Sequence, residues 1–325
     1  MTSSAKPLTN PIDLQTLNTK PRSLWSDALS RLLRNRAAVV GLIVIVFYII
    51  VAVAAPWLAP YNPVQQIPNN SLRPPAWVTD NPARMGVPEH LLGTDTLGRD
   101  VLSRLIYAIR VSLIVGVVPQ VAILFIGVTI GLISGFAGGW LDNLLMRFTE
   151  IVAAFPDLLF IIALSTAFRE TWLGRTFNGL LLIFVAVSLV SWTGIARLVR
   201  GQVLSLKEKE FVEAARTIGV PTLAILWRHI LPNTLAPIIV STSFSIPALI
   251  STEAVLTILG VGMRPSLDPD NPFPTSLGVM LTEGYNNLSS GPWLLSFPVI
   301  LIAGLMLSFT FLGDGLRDAL DPRER

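Results

Sequence analysis

Six long apolar runs separated by polar stretches set out the plan of this chain. Residues 37–55, 111–136, 144–168, 179–198, 235–261 and 293–312 are each about as long as the ~20 helical residues that a bilayer core requires. Prolines and glycines inside them do not argue against helices, because neighbouring spans satisfy the freed backbone groups, although Pro237 and Pro247 are expected to break up the fifth run. The pattern predicts an all-α membrane protein with six transmembrane helices. Between the fourth and fifth runs lies a polar insert, residues 210–233, reading EFVEAARTIGVPTLAILWRHILPN. At about 100° per residue, Phe211, Ala214, Ala215 and Ile218 share one face of a short helix, with Glu213 and Arg216 pointing the other way. Gly219 suits a left-handed helix end and Pro221 the first position of a second helix. On that helix Leu223, Leu226, Trp227 and Ile230 recur at helical spacing, and Pro232 is its expected stop. Apolar faces, paired alanines and an outward carboxylate, set where the chain leaves the membrane, describe an element built to dock.

The order Glu213-Ala214-Ala215, three residues, Gly219, ten residues, Ile230-Leu231-Pro232 resembles the EAA signature of permease subunits of ABC importers. His229 stands where many members carry the first apolar residue of the closing segment, a variation common in the peptide-importer branch. A second stretch, residues 90–113, with Gly93-Thr94-Asp95 and Gly98-Arg99-Asp100, resembles the second (C-type) permease of the dipeptide, oligopeptide and nickel importers. Residues 251–262, STEAVLTILGVG, resemble the family segment after the coupling loop, although Thr257 and Ile258 replace more usual residues. The resemblance implies the type I ABC importer permease fold, with a cytoplasmic EAA coupling helix. It implies ATPase coupling through Phe211, Glu213, Ala214, Ala215, Arg216 and Gly219, with Glu213 as a charge-assisted contact. Implied partners are a second homologous permease, two ATPase subunits or domains and an extracytoplasmic substrate-binding protein. ATP and Mg would sit on the ATPases, with no cofactor on this chain. The cargo would be di- or oligopeptides, with nickel chelates, glutathione or another small solute as alternatives, and the location a bacterial cytoplasmic (inner) membrane.

Charge and turn residues divide the chain further. Residues 1–36 form a basic segment held in the cytoplasm by the positive-inside rule, and 37–59 the first transmembrane helix. That helix is read as an uncleaved anchor, because its apolar run exceeds the about 7–15 residues of a signal peptide. Residues 60–104 are an external loop with an interfacial helix, on which Val101, Leu102, Leu105, Ile106 and Ile109 form a stripe and Arg99, Arg104 and Arg110 lie off it. Asp95 and Asp100 are expected to cap a helix and pair with Arg99 or Arg104. Residues 105–313 form a permease core of five transmembrane helices with the coupling loop at 201–233, and 314–325 a cytoplasmic tail. Gly127, Gly131 and Gly135, four apart, either make a smooth packing face or reflect the glycine content of apolar spans. Residues 263–292 are read as an external loop.

Composition narrows the chemistry. The chain is 52% hydrophobic and 14% charged, against about a quarter charged in soluble domains. With no cysteine and two isolated histidines, no metal site is expected. A net charge of +3, spread around span ends, reads as topology and not nucleic-acid binding. Each of the four lysines follows Ala5, Thr19, Leu206 or Glu208, so no Gly-Lys of a Walker A loop exists, and H-E-x-x-H and G-x-S-x-G are also missing. The chain reads as a transport subunit and not an enzyme, driven by a partner or an ion gradient. On the fifth run Ser241, Ser245 and Thr252 fall within about 40° of one another, either lining a solvated path or bonding their own backbone. Glu253, at a membrane depth where a carboxylate costs about 2.5 to 3.5 kcal/mol unless it faces protein or water, must point inward. Glu253 and Asp157 complete the candidate translocation path. A gradient-driven secondary transporter is the different-class alternative, but it needs an intramembrane relay and paired repeats that the sequence does not display.

Overall fold

Polar caps fix where the helices of this chain begin. In the computed structural model, which describes residues 24–79 and 85–320, Asn35 accepts from the N–H groups of Ala37 and Ala38 to open one helix. Asp100 accepts from the Ser103 N–H to open another. Residues 1–23 of the basic N-terminal segment and 321–325 of the tail lie outside the described residues. The helices are α1 (Leu24–Leu32), α2 (Arg36–Val53), α3 (Ala55–Leu58), α4 (Val101–Ala137), α5 (Gly139–Ala153), α6 (Asp157–Ala167) and α7 (Trp172–Arg175). They continue with α8 (Leu180–Leu206), α9 (Glu210–Thr217), α10 (Thr222–Ile225), α11 (Leu231–Ile258), α12 (Leu277–Asn286) and α13 (Trp293–Leu320). Among the described residues, five helices are long and apolar enough to cross a membrane, and a sixth crossing requires α5 and α6, bent by 76°, to count as one.

The direction of the helices decides that count. Gly127, Gly131 and Gly135 of α4 lie against Ile195, Val199 and Val203 of α8, so the two helices run parallel. The chain leaving α4 must therefore cross back before α8 begins, and the bent pair is the only segment between them long enough to do so. Asp142 on α5 is bonded to Ser134 near the end of α4, while Ser165 on α6 borders the same cavity as Gly179 and Leu182 at the start of α8. The described residues thus form six spans. Ser245 of α11 bonds Gln120 of α4 and Ile250 of α11 meets Gly116 of α4, an antiparallel register. Ser251 of α11 meets Met306 of α13 while Gly313 meets Ser243, again antiparallel, and Gly41 of α2 meets Ser308 of α13. Hence α1, the end of α13 and α9 share one face, here called the near face.

Close approach of α4 and α8 depends on the three glycines. A methyl group at Gly127, Gly131 or Gly135 would come within 2.8, 2.7 and 2.7 Å of α8. Small residues let spans approach and gain dispersion contacts where lipid supplies no hydrophobic drive. Gly131→Leu should therefore cost about 1–3 kcal/mol, whereas Gly201→Ala, where nothing lies within 4 Å, should be neutral or stabilising. Thermal unfolding of the purified chain checks the pair.

Several expectations are corrected here. The interfacial helix expected before residue 104 is instead a set of turns at residues 90–100, followed by an unbroken α4. Val101, Leu105, Ile106 and Ile109 are buried, and so are Arg99 and Arg104. The third span is kinked at Ala154-Phe155-Pro156, since proline lacks an N–H and pushes its predecessor out of the helical region. Pro237 and Pro247 do not interrupt α11. The loop at 263–292 contains α12, whose Leu277, Val279 and Met280 are buried, and α13 reaches Leu320 instead of residue 312.

The arginines are buried because carboxylates from distant parts of the chain meet them. Arg104 contacts Asp95 at 2.5 Å and Glu283 of α12 at 2.5 and 3.0 Å. Arg99 reaches the same two acids at 2.6 and 3.2 Å. Beside them Asp100 accepts from His90 Nδ1 at 3.0 Å and from both the N–H and the hydroxyl of Ser103. The cluster ties the loop before α4 to α12. Further along this face Arg264 donates to Glu170 at 2.8 Å and holds its exposed carboxyl below the ordinary range. Tryptophans sit at span ends as interfacial anchors do: Trp57, Trp140 and Trp172 are exposed, while Trp293 is partly covered and donates to Thr94 O.

Candidate coupling surface and membrane path

On the near face, α9 is short because its end is tightly defined. Val220 N–H bonds Ala215 O at 3.0 Å and Gly219 N–H bonds Arg216 O at 3.0 Å, the paired bonds of a Schellman motif. Gly219 takes φ +80°, the left-handed conformation expected of it. Val212 and Ala215 are buried in the main core, and Val220 packs against the same cluster. The apolar face is therefore rotated from the expected one. Ala215 points inward with Val212, which the sequence reading passed over, whereas Phe211, Ala214 and Ile218 are exposed. Arg216 lies over the Phe136 ring at 5.2 Å, fastening α9 to the end of α4.

After Gly219, Pro221 caps α10 instead of occupying its first position, and Pro232 does not stop the helix. A π turn at Leu226–Ile230 joins α10 to α11, giving one continuous helix from Thr222 to Ile258. A wider turn accommodates a residue that offers no N–H, and Pro232 follows it after one residue, Leu231. Ile225 and Ile230 are buried, leaving Leu223 and Trp227 outside at 66% and 61% exposure. Phe211 and His229 bring their rings to 6.4 Å, so the two helices of the insert meet. The result is an exposed apolar surface of Phe211, Ile218, Leu223 and Trp227 beside the exposed acids Glu210 and Glu213. Large apolar side chains left in water beside charges mark a protein-binding surface.

Polar braces connect this surface to the spans. Arg200 of α8 holds Asp142 of α5 with two bonds, 2.6 and 2.7 Å, and Asp142 also accepts from Ser134 of α4. Lys207, just before α9, donates to Gly135 O at 3.2 Å. Spacing gave no sign of these pairs, although a charge inside an apolar run asks for a partner.

The candidate path residues separate into groups. Ser245 donates to Gln120 Oε1 at 2.9 Å and contacts Thr242 O, while Thr252 bonds Ala248 O of its own helix. Ser241 and Thr252 are partly exposed on α11. Glu253 is 1% exposed and turned to the start of α12, where its Oε1 accepts from Ser276 and Thr257 at 2.7 and 3.0 Å. Its Oε2 lies 2.8 Å from where a Gly278 side chain would start. Glu253 thus points inward as its cost demands, into protein and not into a cavity shared with Ser241. Asp157 is exposed on the first turn of α6, beside the kink. Arg147 and Glu150 form an exposed pair at 3.2 Å.

Comparison with known proteins adds the following. Residues 127–325 match the family described as binding-protein-dependent transport system inner membrane component, and residues 23–75 match the N-terminal TM domain of oligopeptide transport permease C. The oligopeptide transport system permease protein OppC of Haemophilus influenzae is 40% identical over 96% of this chain and 93% of its own. The dipeptide transport system permease protein DppC of Bacillus subtilis is 38% identical over 93% of this chain and 87% of its own. Among solved structures, an inward facing conformation of the MetNI methionine ABC transporter has TM-score 0.52 at 18% identity, covering 65% of this chain and 93% of the other. That likeness supports the fold.

Proposed function

The chain belongs to the binding-protein-dependent transport system inner membrane component family, and from that premise we propose that it is a permease subunit of an ATP-driven ABC importer for peptides. It forms the membrane path together with a second, homologous permease. Two ATPase subunits, which hold the ATP and Mg, dock on the near face, and an extracytoplasmic binding protein delivers the peptide on the opposite one. The near face is then cytoplasmic, which agrees with Arg31, Arg34 and Arg36 around the end of α1 and the start of α2. The protein is a multi-pass component of the bacterial inner membrane.

The observation that carries this reading is the exposed Phe211–Ile218–Leu223–Trp227 surface, an apolar patch at the EAA motif that this chain leaves uncovered. Glu213 adds a charge-assisted contact to a basic group of the ATPase, while Ala214 keeps that side of α9 low enough for close approach. Arg216 holds α9 at its angle through Phe136. On α11, Ser241, Ser245 and Thr252 offer hydroxyls to a passing peptide, and Asp157 adds a carboxylate beside the kink. Glu253 contributes by holding α12 against α11.

The test is uptake of a labelled tripeptide by the assembled complex. Glu213→Lys should abolish uptake and the stimulation of ATP hydrolysis by loaded binding protein; wild-type rates would overturn the assignment. Gly219→Val forces a side chain into the left-handed region at about 1–2 kcal/mol, with no steric neighbour to add to it. It should lower both rates, and Gly219→Asn, which tolerates that conformation, should restore much of the loss.

A further inference from the structure

The near face holds a second feature that transport of peptides does not use. Helix α1 is fastened to the end of α13 by a small cluster of Leu32, Ala38 and Ala319, yet Leu29 and Leu33 are each 56% exposed. Between α1 and α13 lies a recess of ≈ 390 Å³ lined by Arg31, Arg34, Asn35, Gly315, Asp318 and Ala319. None of the ion pairs among the described residues uses Arg31, Arg34 or Arg36. The Asn35 Oδ1 is committed to the N–H groups of Ala37 and Ala38 at 3.1 and 3.2 Å, which leaves its NH2 group to donate.

Directly beyond the recess, α2 exposes Val40, Ile43, Phe47 and Ile50, one side of a helix at steps of three and four residues. Leu29 and Leu33 prolong that apolar exposure beyond the start of the span. A cationic recess at the water end of a lipid-facing helix joins the two halves of an amphiphile. We propose that Arg31, Arg34 and Asn35 bind the phosphate of an anionic phospholipid of the phosphatidylglycerol kind, with its acyl chains lying along α2. Guanidinium groups fit phosphate oxygens in pairs, and each basic residue at the membrane surface favours an anionic lipid. Asp318 is the carboxylate of the recess. With two arginines it leaves a net single positive charge, which matches a phosphodiester monoanion better than a phosphomonoester dianion. The binding does not depend on which solute is carried; only the leaflet follows from the orientation proposed above.

Native mass spectrometry of the full-length chain in its assembled complex, purified in neutral detergent, tests this. The probes are phosphatidylglycerol and phosphatidylcholine with the same acyl chains, and inorganic phosphate as a competitor without tails. The wild type should prefer phosphatidylglycerol by about thirtyfold, the equivalent of ~1 kcal/mol per arginine. Arg31→Gln with Arg34→Gln should remove the preference and the double lysine variant should keep most of it. Asp318→Asn should tighten phosphatidylglycerol binding, an increase that misfolding cannot imitate. Retained preference in the glutamine variant, unchanged binding in Asp318→Asn, or displacement of the lipid by phosphate alone at equal concentration would each overturn the proposal. Wild-type peptide uptake alongside lost lipid preference would leave the transport function standing, so the two conclusions fail separately.

Discussion

Phe211→Ala combined with Trp227→Ala is expected to weaken docking of the ATPase subunits by about 100- to 1,000-fold while leaving this chain folded. Both side chains are exposed, at 42% and 61%, so their removal opens no cavity. A large aromatic seated in a partner's pocket is commonly worth ~2 kcal/mol or more, and two such anchors amount to that range of affinity. Copurification of the ATPases with the permease pair, followed at increasing salt and dilution, measures the loss. Val212→Ala on the same helix should behave in the opposite way. Val212 is fully buried in the core, so truncation should lower thermal stability by about 0.5–1.5 kcal/mol and change docking far less. If the exposed pair lowered stability and left docking intact, the surface would have been assigned to the wrong side of α9.

The second large effect belongs to the opposite face. Arg104→Ala is expected to cost about 3 kcal/mol, because it removes one of the two arginines that offset the burial of Asp95 and loosens the tie to Glu283 of α12, leaving Arg99 alone against both acids. Removing the whole set of charges is expected to be much milder. A quadruple variant, Asp95→Asn with Arg99→Met, Arg104→Met and Glu283→Gln, which leaves no charge of the cluster unpaired, should recover most of the stability lost by the single truncation. Unfolding of the purified chain by heat distinguishes the cases. Equal losses in the single and quadruple variants would mean that packing, and not an uncompensated charge, sets the cost.

Much of the transmembrane plan was legible because the bilayer imposes a length on every apolar run. Gly219 was legible for a local reason, since ending a helix in the left-handed conformation is a property of a few residues. The orientation of α9 was not. In a helix of eight residues, a shift of one position turns the apolar face by about 100°, and Val212 with Ala215 makes as good a pair as Phe211 with Ala215. Pro232 looked like a stop because the rule against interior proline assumes α-helical spacing, and the π turn before it relaxes that rule. The cluster around Arg104 was hidden for another reason. Its partner Glu283 is 179 residues away, within a stretch whose prolines read as a loop and concealed the short apolar run of α12. Gly127, Gly131 and Gly135 showed a smooth side in the sequence, but only the partner helix decides whether such a side is used. Comparison of Glu253 with Ser241 shows the same limit, because periodicity placed both on α11 while α12 determines what Glu253 meets.

The unbroken course from Thr222 to Ile258 has a mechanical result. Its 37 residues make a rod of roughly 55 Å at about 1.5 Å per residue, carrying Leu223 and Trp227 at one tip and Glu253 near the other. Pivoting that rod by only about 5° sweeps the distant tip through roughly 5 Å. If ATPases dock at the near tip as proposed, a small rotation imposed there is thus converted into a displacement of atomic width on the opposite side, with the fifth crossing as the lever arm.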